Sequence, residues 1–155
     1  MRKMSLRRVI ALSLGCLVPF LVVLTGCSEP KPDGMPKLYP VSLTFLLDGA
    51  PCEGVAVFLS SQDGNPWPVG GATNKDGVVS LSTQGQYPGV APGKYKIAVS
   101  KSESEGNKLF DVINPDYGSS NKTPFVIEVV AGKNSFDPFD LGKKVRVPQP
   151  VDTVP

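Results

Sequence analysis

Residues 70–101 read Gly-Gly-Ala-Thr-Asn-Lys-Asp-Gly-Val-Val-Ser-Leu-Ser-Thr-Gln-Gly-Gln-Tyr-Pro-Gly-Val-Ala-Pro-Gly-Lys-Tyr-Lys-Ile-Ala-Val-Ser-Lys. Asp76-Gly77 is a hairpin signal, because both residues tolerate positive φ. After it, Val79 and Leu81 fall on one face and Val78, Ser80 and Ser82 on the other. After Pro92-Gly93 the alternation is cleaner. Tyr95, Ile97 and Val99 share one face, and Lys94, Lys96, Ala98 and Ser100 share the other. This is the period of strands with one buried and one wet face. Gly77 is expected to need positive φ, and Asn74, before the turn, to matter less.

Working towards the N-terminus, 69–73 reads as a short strand weakened by glycine and placed at an edge. Residues 62–68 form a polar loop with Trp67 between Pro66 and Pro68. Val55, Val57 and Leu59 alternate with Ala56, Phe58 and Ser60, and Val41, Leu43, Phe45 and Leu47 alternate with Ser42, Thr44 and Leu46. Asp48-Gly49-Ala50-Pro51 turns between these two strands. Towards the C-terminus, 102–120 reads as a long polar loop with a turn at Asn114-Pro115-Asp116-Tyr117. Phe125, Ile127 and Val129 mark a sixth strand, and residues 131–134 turn it into a seventh at 136–141. A bulge at Asp137-Pro138 restores that strand's phase. The proline-rich tail, 142–155, has no periodicity and is expected to be unstructured. Seven short strands at about ten-residue spacing predict an all-β antiparallel sandwich.

The chain has no histidine, which removes the commonest general base and metal ligand. Four of the 16 basic residues (Arg2, Lys3, Arg7 and Arg8) precede Cys27, and no acidic residue does. That leaves 12 basic against 14 acidic residues beyond the leader, too little positive charge for nucleic-acid binding. Residues 1–26 carry a basic start and an apolar run over 9–24, the pattern of a signal-peptide helix. The run is shorter than the roughly 20 residues of a spanning helix. Residues 27–37 contain Pro30, Pro32 and Pro36, so they read as an extended tether. Cys52 is the one cysteine left after Cys16 and Cys27, and reads as a small buried hydrophobe.

Leu24-Thr25-Gly26-Cys27 resembles the bacterial lipobox. The resemblance implies cleavage between Gly26 and Cys27, acylation of Cys27, and a membrane anchor made of lipid chains. Ser28 is not the Asp of an inner-membrane retention signal. The expected location is therefore the envelope, at an outer membrane, facing the periplasm or the exterior. Asp48-Gly49-Ala50-Pro51-Cys52-Glu53-Gly54-Val55, Thr73-Asn74-Lys75-Asp76-Gly77 and Pro92-Gly93-Lys94-Tyr95 resemble motifs of carboxypeptidase-regulatory-like, transthyretin-like β-sandwich domains. Asn114-Pro115-Asp116-Tyr117 and Asn134-Ser135-Phe136, with Phe139-Asp140-Leu141, resemble later parts of small lipoproteins built on them. The resemblance implies a seven-stranded Ig-like sandwich over 38–141, with no catalytic residues or cofactor of its own.

Without histidine, a Ser-His or Cys-His nucleophile is excluded. Asp137 with Asp140, and Asp111 with Asp116, are the carboxylates near one another. They read as solvated turn residues rather than a hydrolase pair or a calcium site. Binding falls instead to exposed aromatics and a hairpin tip: Phe58, Trp67, Tyr87 and Lys75. The expected function is a non-enzymatic envelope lipoprotein that binds a surface protein or a polysaccharide. The alternative is a structural or assembly subunit of an envelope complex, with a carboxylate hydrolase as a distant third.

Overall fold

The computed structural model describes residues 30–150; the lipobox, Cys27, the signal segment and residues 151–155 lie outside the described residues. Every contact below lies within the unit Lys31–Pro155. The described chain is all-β, with a single turn of 3-10 helix. In chain order the strands are β1 (Ser42–Leu47), β2 (Ala50–Pro51), β3 (Ala56–Ser61), β4 (Val69–Ala72), β5 (Val78–Ser80), β6 (Ser82–Thr83) and β7 (Tyr87–Pro88). After them come β8 (Gly93–Ser100), β9 (Ser102–Glu105), β10 (Lys108–Asp111), β11 (Val126–Val129), β12 (Phe139–Asp140) and β13 (Val147–Pro148). The 3-10 turn, Pro115–Gly118, precedes β11 and is capped by Asn114, whose side chain accepts from the Asp116 N–H.

Three sheets result. The first places β1 beside β12, β2 and β5; the second runs β11-β8-β3-β4-β6-β7; the third runs β13-β10-β9. One hydrophobic core draws on the first two. Leu43 and Phe45 of β1 meet Val57 and Leu59 of β3, Tyr95, Ile97 and Val99 of β8, and Ile127 of β11 in it. The alternation that reads as strand in the sequence is therefore the alternation of burial. Ile97 is wholly buried while Lys96, one residue away, is half-buried on the opposite face. Phe139 stacks on Phe45 and meets Phe125 edge-on, closing the core at the β12 side.

Several segments depart from the expectations above. The stretch 78–82 is not one strand. Val78–Ser80 pairs with β1, and Ser82–Thr83 pairs with β4 in the other sheet. Leu81 is the corner, buried and donating its N–H to Val41 O. The Asp76-Gly77 connection thus joins two sheets rather than two paired strands. β4 is not an edge: it pairs with β3 on one side and β6 on the other. The hairpin β6–β7, turning at Gln84-Gly85, supplies that second neighbour.

The seventh strand does not pair with the sixth. β12 crosses to the first sheet and runs parallel to β1, Phe45 opposite Phe139. The chain makes that crossing because Phe136, Phe139 and Leu141 are apolar groups that the core beneath β1 accommodates. Residues 102–111 are a paired hairpin, β9–β10, rather than loop. The tail is ordered through 150 in the described residues. β13 pairs with β10, and Val145 and Gln149 donate N–H bonds to Val112 O and Leu109 O. The proline at 148 does not prevent this, because a two-residue strand at a sheet edge has an unused side.

Candidate functional site

The outward face of the second sheet carries the candidate site. The β3 register puts Val57 and Leu59 in the core, so Phe58 between them must face out. It is 59% exposed, the most exposed large hydrophobic side chain of the described residues. Its cross-strand neighbour on β4 is Gly70. A Cβ at Gly70 would lie 2.8 Å from Val57 O and 3.1 Å from the Phe58 ring, so the ring rests on the space glycine leaves. On the other side Phe58 faces Ala98 of β8. The ring therefore rises from a floor of small residues.

A groove of about 770 Å³ opens beside it. Phe58, Pro68 and Val69 line its apolar part, and Ser82, Gln84 and Gln86 its polar part. The turn that sets the two glutamines is specific. Gln84 has φ +55°, a left-handed conformation unusual for a residue with a side chain, and the Gln86 N–H closes the turn onto Thr83 O. Thr83 is buried and donates to Gly89 O at 2.8 Å, which ties the turn to the body of the sheet. Neither glutamine carboxamide has a hydrogen-bond partner among the described residues. No lining residue is ionisable, so the groove offers no general acid or base.

The other expected binding residues lie elsewhere. Trp67 is half-buried in the 62–68 loop, its backbone N–H donating to Asn65 Oδ1, and is not among the groove's lining residues. That loop is held by a polar knot. Ser61 Oγ accepts from the Asp63 and Asn65 N–H groups, Asp63 accepts from the Lys94 N–H, and Asn65 Nδ2 donates to Tyr95 OH at 3.1 Å. Burial pushes the Tyr95 hydroxyl above its usual range; the Asn65 hydrogen bond pulls it down and the Asp63 carboxylate adds an upward push. Tyr87, on β7, is half-buried and also outside the lining. Lys75 is exposed at the tip of the 74–77 turn. Phe58 alone of the four enters the groove. Gln84 and Gln86 are additions, and their only sequence signal was the Gln-Gly dipeptide.

Three of the four carboxylates singled out in the sequence are engaged. Asp111 accepts from Ser102 Oγ and Gln149 Nε2, Asp116 pairs with Lys122 at 2.8 Å, and Asp140 accepts from the Gly142 N–H. No group of three or more His, Cys, Asp or Glu is placed to hold a metal among the described residues. Cys52 is buried, with Lys101 Nζ 3.8 Å from its sulfur. No family model, curated protein or solved structure matches this chain.

Proposed function

We propose that this chain is a lipid-anchored, non-enzymatic binding protein of the bacterial cell envelope. The anchor is Cys27, acylated after cleavage beyond Gly26, and residues 27–37 are the tether. The location is the outer membrane, facing the periplasm or the exterior. The domain over 38–141 is a seven-stranded Ig-like, transthyretin-like sandwich of the carboxypeptidase-regulatory kind. In support, β1, β3, β4, β5, β8, β11 and β12 fall on the seven expected segments. Of the remaining strands, β2, β6, β7 and the β9–β10 hairpin lie between or beside these segments, and β13 follows them. The domain holds a surface protein or a polysaccharide on its outward face.

One observation carries the binding reading: an aromatic ring left 59% exposed at the centre of a six-stranded sheet, beside a groove. A single exposed ring is ordinary, but Phe58 joins Pro68 and Val69 in a groove rimmed by Ser82, Gln84 and Gln86, and apolar surface rimmed by polar groups is the pattern of a binding groove. The test is a photo-crosslinking residue placed at position 58 of the full chain, in intact bacterial envelopes. A covalent adduct at 58, absent when the same residue replaces exposed Lys108, is the expected result. Equal or absent adducts at both positions overturn the reading.

A further inference from the structure

We infer that the ligand of the Phe58 groove is an uncharged polysaccharide. One sugar ring stacks on Phe58, and the Gln84 and Gln86 carboxamides bond its hydroxyls. The inference rests on the binding function proposed above and names its ligand class.

Three observations favour a glycan over a peptide, a lipid headgroup or a nucleic acid. First, the lining carries no charged side chain. A phosphate or an acidic peptide would enter with no counter-charge to replace its water. Second, the groove lies over β3, β4 and β6, each paired on both sides. An extended peptide binds a sheet through a run of free edge N–H and C=O groups, and no long free edge lies in this groove: β3 lies between β4 and β8, and β4 is paired with β6 at Val69 and Gly70. A ligand here must instead bond to side chains. Third, the side chains present match the two surfaces of a neutral sugar. The flat, apolar face of a pyranose ring fits an exposed aromatic ring on a floor of glycine and alanine. Its hydroxyl rim fits carboxamides, which donate and accept together. Both amides are without partners among the described residues, and the left-handed Gln84 backbone pre-sets the turn that carries them. The volume of about 770 Å³ lies in the usual range of ligand sites.

The experiment is affinity electrophoresis of the full-length protein in detergent. The gels contain soluble β-1,4-glucan, β-1,3-glucan, mannan, xylan or anionic alginate. Retardation by at least one neutral polysaccharide is expected, unchanged between about 50 mM and about 500 mM salt. Phe58→Ala should weaken it about tenfold or more. Phe58→Leu keeps an apolar group over Gly70 but removes the flat ring, and should weaken it as much. Phe58→Trp should retain binding, and an unchanged melting temperature in each variant separates loss of binding from unfolding. Replacing Gln84 and Gln86 together by Ala should cost about tenfold. No retardation on any neutral polysaccharide, retardation that Phe58→Leu leaves intact, or retardation by alginate alone overturns the inference. A protein adduct at position 58 without glycan retardation overturns it while leaving the binding function standing. No adduct and no retardation end both.

Discussion

Gly77 lies in the connection from β4 to β5, packed against the backbone of β1. Its φ is +70°, and a Cβ there would lie 2.6 Å from Phe45 O and 2.9 Å from the Cys52 N. Both neighbours are backbone atoms held by their own bonds: Phe45 N donates to Gly77 O, and Cys52 N donates to Phe45 O. They cannot step aside. Gly77→Val should therefore destabilise the fold by more than about 2 kcal/mol, read as a lowered midpoint in urea. Asn74 carries more than its place before the turn suggested. Its side chain accepts from the Asp76 and Val78 N–H groups at 3.0 Å each, and its own N–H donates to Val78 O. Asn74→Ala should cost about 1 kcal/mol, whereas Lys75→Ala, exposed at the same turn, should stay within about 0.5 kcal/mol. Equal midpoints for Asn74→Ala and Lys75→Ala would remove the side-chain cap from the account. Thr73 is a parallel case. It is buried, donates to Cys52 O at 2.6 Å and accepts from the Val55 N–H at 2.8 Å, pinning β4 to the start of β3. A glycine beside Asp is readable as a turn because its backbone freedom is intrinsic. The bonds of Asn74 and Thr73 depend on which strands arrive beside them.

At the scale of elements, the C-terminal segment shows how pairing overrides composition. Residues 144–149 lie along the β9–β10 hairpin. Lys144 pairs with Glu103 at 2.8 Å, Arg146 pairs with Glu105 and sits 4.2 Å over the Phe110 ring, and Gln149 bonds Asp111 and Ser102. The charged partners are about half exposed, so each pair is weak and open to salt. The Lys144 hydrogen bond and charge hold the Glu103 carboxyl below its usual 4.5. A carboxyl lowered in the folded state stabilises above its unfolded value, and that contribution disappears as pH falls through the lowered one. The protection of the Val145 and Gln149 amides, referenced to the intrinsic exchange rate at each pH, should fall below pH 4.5 relative to neutral pH, and also in about 1 M salt, while Ile97 in the core keeps its protection. Protection at Val145 and Gln149 that ignores both salt and acid would mean that backbone pairing alone holds the strap. Nothing periodic marks residues 144–149, since their partners lie about 40 residues away. By contrast β1, β3, β8 and β11 announce themselves, because each alternates core and solvent within a few residues.

For the molecule as a whole, the anchor and the domain are separable claims. Cys27→Ser should abolish incorporation of a labelled fatty acid and leave the melting temperature of the 38–141 domain unchanged; label retained in that variant would remove the lipid anchor from the proposal. The strands β1, β3, β8 and β11, the Asp76-Gly77 and Asp48-Gly49 turns and the buried Tyr95-Ile97-Val99 face were determined locally, because side-chain periodicity and turn chemistry act over a few residues. Phe58 was singled out for the same reason, being apolar in a polar phase. The tertiary structure alone decided the rest. It switched sheets at Leu81, gave β4 a second partner, sent β12 across to run parallel with β1, and laid the tail along β10. It also brought Gln84 and Gln86 beside Phe58, some 26 residues away in the chain. These outcomes turn on which backbone edges are left unpaired and which apolar groups still need burial once the strands have met. Neither quantity belongs to any short stretch of chain, so no local pattern encodes it.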